Sequence, residues 1–191
     1  MRYRVLIITG TLVFMLLFGA VGSGLLGKNN AKTQSGLTRQ ADSQIVKLQA
    51  SWAKGYLSID ELYQDADLVV EGVVVSKEPT RKIDDLLFTD RKVRISKVLK
   101  NTTAMKKNEI FVRQTGGRFD GVEYMIEDEV QYEPDKRYLL FLRLADNGLF
   151  VALNGPQAQF LIQNDRAVHT QEDWSQEYGA LKLKLDKLKN K

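Results

Sequence analysis

The sequence predicts a mainly β protein, an antiparallel β-barrel with a transmembrane helix before it and an amphipathic helix after it. Three observations lead there. The stretch Ala66-Asp67-Leu68-Val69-Val70-Glu71-Gly72-Val73-Val74-Val75 is too apolar on both faces to lie anywhere but the middle of a sheet. From there to Val168 short strand patterns follow one another between turn signals with no long helix among them, the pattern of a sandwich or a barrel. The two ends then break that period, the first with an uncharged run and the last with a helical stripe. The organisation that results is a membrane anchor or signal peptide over 1–27, a linker with a short amphipathic helix over 28–57, the barrel over 58–170 and the C-terminal helix over 171–191.

At 191 residues the chain is long enough for one domain with a sizeable core plus extensions. It has no cysteine, which excludes disulfides, thiolate zinc sites, cysteine nucleophiles and the lipid-bearing cysteine of a lipoprotein. Packing alone has to hold the fold. The 28 basic and 24 acidic residues give a formal charge of +4. Arg2 and Arg4, however, precede the apolar run, and five lysines lie between Ala180 and Lys191. The body between is close to neutral, which speaks against nucleic acid as a specific partner.

The uncharged run extends from Val5 to Leu26, and its 22 residues would reach roughly 33 Å as a helix against a hydrocarbon core of about 30 Å. Arginines before it and the single Lys28 after it predict a cytoplasmic N-terminus and an extracytoplasmic remainder. The small residues Gly19-Ala20-Val21-Gly22-Ser23-Gly24 suit signal-peptide cleavage instead. The expected location is therefore the cell membrane, single-pass, or the exterior if the segment is removed. Lys28 to Gln40 is polar and aperiodic, a tether.

Ile45, Leu48 and Trp52 recur at helical spacing after Asp42-Ser43, predicting a short amphipathic helix that packs on the barrel or, through Trp52, rests at the membrane surface. Ser58-Ile59-Asp60-Glu61 reads as a capping box that opens a second short helix through Gln64. The doubly apolar strand follows and closes at Lys77-Glu78-Pro79-Thr80. A second strand runs from about Leu86 to Leu99, with Val93 and Ile95 on one face and Lys92 and Arg94 on the other. Val98 falls out of phase with them, which predicts a bulge near Ser96-Lys97. A third spans Glu109 to Thr115, alternates Ile110 and Val112 against Phe111 and Arg113, and is expected to end at Gly116-Gly117. Gly121 to Ile126 is a short strand, and Tyr138-Leu139-Leu140-Phe141-Leu142 a second doubly buried one. Leu149 to Leu153 and Gln159 to Ile162 follow, and Asn164-Asp165 turns the last hairpin into Ala167-Val168. Trp174, Tyr178, Leu181, Leu185 and Leu188 form the stripe of the final helix.

Asp67 leading a valine-rich strand, then Val93 through Val98-Leu99-Lys100, then Tyr138-Leu139-Leu140-Phe141 after Glu133-Pro134-Asp135-Lys136, resembles the netrin-like modules, the OB-type barrel shared with tissue inhibitors of metalloproteases. It is also similar to uncharacterised exported bacterial proteins with the same strand order. The resemblance covers about Leu62 to Val168 and implies an OB-like barrel. Those inhibitors act through an N-terminal cysteine that chelates the target's metal, and this chain has no cysteine, so the inhibitory mechanism does not carry over.

No catalytic or metal motif stands out, and no cofactor is implied. His169 is the only histidine and has no Gly-x-Ser-x-Gly companion. The acidic residues Glu127, Asp128, Glu129, Glu133 and Asp135 lack the order of a calcium loop and read as a solvated loop, as do Asp84, Asp85 and Asp90. The remaining signal is basic: Lys92, Arg94 and Arg113 on the second and third strands, with Arg118 just beyond. The outward face of these strands is the usual ligand platform of OB-type barrels, and guanidinium groups suit phosphate or carboxylate. The expected function is a non-enzymatic, membrane-tethered binding module for a protein or an anionic cell-surface polymer. The alternatives are a cell-envelope hydrolase using carboxylates and an exported nucleic-acid-binding barrel, which needs aromatic residues among the basic ones.

Overall fold

The structure, a computed structural model, describes residues 44–52 and 54–189. The segments expected over residues 1–27 and the tether after them lie outside the described residues. Among those described, no helix is long and apolar enough to cross a membrane. In chain order the elements are β1 (Ile45–Leu48), α1 (Ile59–Asp65), β2 (Leu68–Lys77), β3 (Arg81–Ile83), β4 (Leu86–Asn101), β5 (Glu109–Phe119) and β6 (Val122–Ile126). Then come β7 (Arg137–Leu144), β8 (Phe150–Ala152), β9 (Gln159–Gln163), β10 (Arg166–Val168), β11 (Gln176–Glu177) and α2 (Tyr178–Lys189).

Five of these strands close on themselves as a β-barrel. The ring runs β2, β4, β5, β8, β7 and back to β2. Every pairing in it is antiparallel except β5 with β8, where Val112 faces Phe150 in a parallel register. An all-antiparallel barrel was the expectation. The exception arises because the strand after β7 folds back along it and reaches β5 from the other side.

The doubly apolar stretch becomes β2, which pairs with β4 on one side and β7 on the other. Its two faces meet two different cores. Leu68, Val70 and Val74 join Val93, Ile110, Val112, Tyr138, Leu140, Leu142 and Phe150 inside the barrel. Val69 turns outward and joins Leu62, Tyr63, Leu139, Phe141, Phe160, Leu181 and Leu185 in a second core under α1 and α2. Burying a side chain of this size contributes about 1.5 to 3 kcal/mol, so a strand that fills two cores is the most expensive place to put a charge.

Of the three irregularities in the β2–β4 register, one falls where the loss of phase put it. Glu71 pairs with Lys97 and Gly72 with Ile95, so Ser96 is the extra residue, and its Oγ donates to the Glu71 carbonyl at 3.0 Å. Val98 is thereby brought opposite Val70. The capping box is real in half its detail. Glu61 N–H donates to Ser58 Oγ at 3.2 Å, but the Glu61 carboxylate accepts from Leu57 N–H at 3.1 Å, one residue earlier than the cap. Asn164 and Asp165 both take positive φ, the geometry of a tight two-residue hairpin between β9 and β10.

Three expectations are corrected. Residues 45–48 are not helical: Ile45 to Leu48 lie parallel to Glu123 to Ile126 as an edge strand, and the half-covered face is that of Val46 and Leu48, a period of two that the wider spacing of Ile45, Leu48 and Trp52 masked. Trp52 lies with its ring against Gly155, so it packs on the body. The third strand does not stop at Gly116-Gly117. It continues to Phe119, with both glycines at positive φ. There β5 leaves β4 and begins to pair with β6, and a Cβ on Gly117 would collide with Thr89 Oγ1. Finally, Trp174 precedes α2 in a short 3-10 turn over Glu172–Trp174, although it, Tyr178 and Leu188 pack against the same core in which Leu181 and Leu185 are buried, as the stripe predicts.

Candidate ligand-binding face

The outer side of β4 and β5 carries alternate residues of both strands. Register sets Asp90 against Arg113, Lys92 against Phe111 and Arg94 against Glu109, so all six share one face by the period of two. Lys92 and Arg94 both reach Glu109, at 3.7 and 3.2 Å. The Lys92 ammonium lies 5.5 Å from the centre of the Phe111 ring, which is 38 % exposed. Arg113 is differently placed. Its Nε and Nη2 donate to the two oxygens of Asp90 at 2.8 and 3.0 Å, and its guanidinium lies 5.2 Å from the Phe88 ring. Arg81, reaching across from β3, pairs with the same carboxylate.

Asp90 was expected to be solvated and is buried instead. Burial pushes its carboxyl up, but the guanidinium of Arg113, with Arg81 beside it, outweighs that and holds the carboxyl below the ordinary range. Arg113 is thus tied into the wall, while Lys92 and Arg94 share one exposed carboxylate. Arg118 is exposed beyond the glycine bend, opposite Glu123 of β6, away from the other three. The four basic residues singled out by the sequence therefore divide into a pair at the open end of the face, one structural cation and one distant one. Arg81 and Phe88 escaped the sequence reading. The signal for Phe88 was present, since it stands two residues before Asp90 and four before Lys92.

Inside the barrel the same two strands carry polar residues at the end opposite Ile110. Arg91 is 2 % exposed, and its Nη2 donates to Gln114 Oε1 and Gln131 Oε1, each at 3.4 Å. Gln114 Nε2 in turn reaches Glu129 Oε1 at 3.4 Å, and Gln159 Nε2 donates to the same oxygen at 3.1 Å. Glu129 was expected in a solvated loop. It is buried, and loss of solvent, only partly offset by the two amides and Arg91, raises its carboxyl to about 7. Its flanking residues Glu127 and Asp128 are exposed, as expected.

His169 is also buried, with its ring 4.7 Å from that of Phe160 and 5.3 Å from that of Trp174. Its Nδ1 accepts from Gln171 N–H at 2.9 Å. Burial lowers its pKa, with nearby backbone carbonyls opposing. It is a packing residue. Among the described residues no group of three metal-ligating side chains is found. Compared with protein-family models the sequence matches none, and the comparison with curated proteins returns no match either.

Proposed function

We propose that this chain is a binding module, an OB-like barrel held outside the cytoplasmic membrane by the Val5–Leu26 segment, whose β4–β5 face takes a protein or an anionic surface polymer. The observation that carries the reading is the charge of that face: Arg81, Lys92, Arg94 and Arg113 against Asp90 and Glu109, with the exposed Phe111 beneath Lys92. Asp90 is shared by two arginines and Glu109 by Lys92 and Arg94, so each half of the face keeps one excess positive charge, and at Lys92 and Arg94 it lies beside the exposed Phe111 rather than over a buried carboxylate. A mobile ammonium and a guanidinium over an aromatic ring suit the carboxylates or phosphates of a flexible polymer. A ring of five strands closed out of chain order supports the OB-like reading, and the outward face of the second and third barrel strands is where such barrels hold ligands.

The hydrolase reading has less behind it. It needs two converging carboxylates, and among the described residues the carboxyl raised toward neutrality, Glu129, has two amides as its hydrogen-bond partners and no second acid.

The test is charge reversal at Lys92 and Arg94 together, leaving Arg113 in place because it holds Asp90. Binding of the full chain, in uncharged detergent, to polyglutamate or polyphosphate should weaken at least tenfold. Binding by the wild type should also fall steeply with added salt. Equal binding by variant and wild type would return these residues to an ordinary solvated face. For the location, protease added outside intact cells should remove the domain and spare the first residues, and complete protection would end that part of the reading.

A further inference from the structure

A second cationic group lies away from the β4–β5 face, at the end of the barrel where β5 bends into β6. Lys77, the last residue of β2, is paired in register with Arg91 of β4. Arg118 is paired with Glu123 of β6. Lys77 Nζ stands 4.0 Å from Glu123. Three cations from three strands are thus neighbours at this end, and Lys77 is the one within ion-pair reach of Glu123. The glycine bend is what brings them together, because without it Arg118 and β6 would continue away from the barrel rather than fold over its end.

The group grades from solvent inward. Arg118 is exposed, Lys77 and Glu123 are partly covered, and Arg91 is 2 % exposed. At the inner limit the chemistry is unbalanced. Arg91 gives one nitrogen, Nη2, to two neutral amides, while its Nε and Nη1 have no partner among the described residues. Gln131 Nε2 and the Tyr132 hydroxyl, both in the loop that closes this end, have none either. A buried guanidinium with free N–H groups is among the costliest arrangements a core can hold, unless something negative or polar meets it. Here the free groups are N–H donors on Arg91 and Gln131 and the Tyr132 hydroxyl, with acceptors on Glu129 and Gln159 deeper in the same network, and the outer positions are two cations around Glu123. Burial, together with the charges of Arg91 and Arg118, also lowers the Lys77 pKa, with Glu123 opposing.

We propose that this end of the barrel is a binding site for a small oxyanion, phosphate or carboxylate, received by Lys77 and Arg118 at the rim and held by Arg91 and Gln131 within. Glu123 is the rim's counter-charge and gives way as the anion enters. The guanidinium fork is the donor set that matches such a ligand two bonds at a time. The site is separate from the Lys92 and Arg94 face and does not depend on what that face binds.

The experiment is calorimetric titration of the full chain, in uncharged detergent, with inorganic phosphate and in a second arm with acetate. Ionic strength is held constant with chloride. Saturable binding to one site is expected in at least one arm, and the arm with the tighter binding identifies the chemistry. Lys77→Gln with Arg118→Gln, both at the rim and outside the cores, should weaken it at least tenfold, and Arg91→Met should abolish it. Lys92→Gln with Arg94→Gln should leave it unchanged. Should Arg91→Met fail to fold, the rim pair still decides. No saturable binding in either arm, equal binding by the rim variant, or loss in the Lys92 and Arg94 variant would each overturn the proposal.

Discussion

Arg91 and Arg113 belong to neighbouring strands of one wall and differ in the side they face. Arg113 points outward and has a buried carboxylate, shared with Arg81, two charge-assisted hydrogen bonds to it and an aromatic ring beside it. Arg91 points inward, is more deeply buried, and has two long bonds to amides. Stability alone would favour the opposite assignment, with the better-partnered arginine in the drier place. The comparison teaches that the outer wall is organised for stability near Asp90 and left open at Lys92 and Arg94. The inner polar end keeps bonding capacity that the fold does not use.

The largest effect should come from charging the apolar part of that interior. Val74→Asp places a carboxylate in the apolar cluster of Val70, Val93 and Ile110. The cost of several kcal/mol is comparable with a whole domain's stability of about 5 to 15. Loss of a cooperative thermal transition in circular dichroism is expected, and a cooperative, soluble variant would place β2 at an edge.

Next is the inner polar end, read through pH. The Glu129 carboxyl is raised to about 7 in the folded protein from an ordinary value near 4.5. Its contribution is therefore complete below pH 4.5 and is lost as pH rises through 7, a decline of about 3 kcal/mol. His169 works the other way. Its folded pKa is lowered, so its contribution is complete above the ordinary value of 6.5 and is lost as pH falls below it. Chemical denaturation across pH should show a decline from about pH 4.5 to 7 in the wild type that is missing from Glu129→Gln, which keeps the loss of stability below pH 6.5 due to His169. The same profile over that range in variant and wild type would mean that Glu129 is solvated.

On the outer wall, Arg113→Ala should cost about 2 kcal/mol by leaving Asp90 with Arg81 alone. Because the Asp90 pKa is held low, this contribution is present above the ordinary carboxylate value near 3.8 and is lost as pH falls below it. The variant should therefore approach the wild type at the acid end of the same denaturation series. The smallest stability effect belongs to the charge reversal at Lys92 and Arg94, within about 1 kcal/mol for each residue. Its melting temperature should stay within a few degrees while polyanion binding falls. A large drop in melting temperature would erase the distinction drawn here between the two parts of the face.

Much of this wall was legible before the fold was known. Lys92 and Arg94 were placed outward by their alternation with Val93 and Ile95, and the bulge at Ser96 by the loss of phase at Val98. The same alternation places Arg91 inside with Val93, so the inner arginine also had a signal, a charge in step with the apolar face. What alternation could not give was the pairing. Nothing local says that Arg113 would meet Asp90, since that depends on a register set by the whole β4–β5 hairpin. The misread segments are those where local pattern is weakest. Ile45 to Leu48 is a four-residue strand whose partner among the described residues is β6, from far along the chain. Gly116-Gly117 punctuates a strand in one context and bends it in another, and the choice falls to Thr89 and Tyr124, which crowd the two glycines.

By itself, the sequence determined which strands are buried on both sides, because only an element covered twice tolerates Leu68 to Val70 or Leu139 to Phe141 with no polar face. It determined the capped helix at Ser58 and the hairpin at Asn164-Asp165, where the deciding interactions span two to four residues. Tertiary structure alone decided which core each face fills and that the ring closes through a parallel β5–β8 pair. It also decided that Glu129 of an acidic loop lies buried beside Gln114 and Gln159, and that Lys77, Arg91 and Arg118 come together. Those outcomes rest on contacts between residues tens of positions apart, whose energies depend on burial and register. A carboxyl in water and the same carboxyl under a barrel are spelled alike, and only the surrounding atoms set its charge.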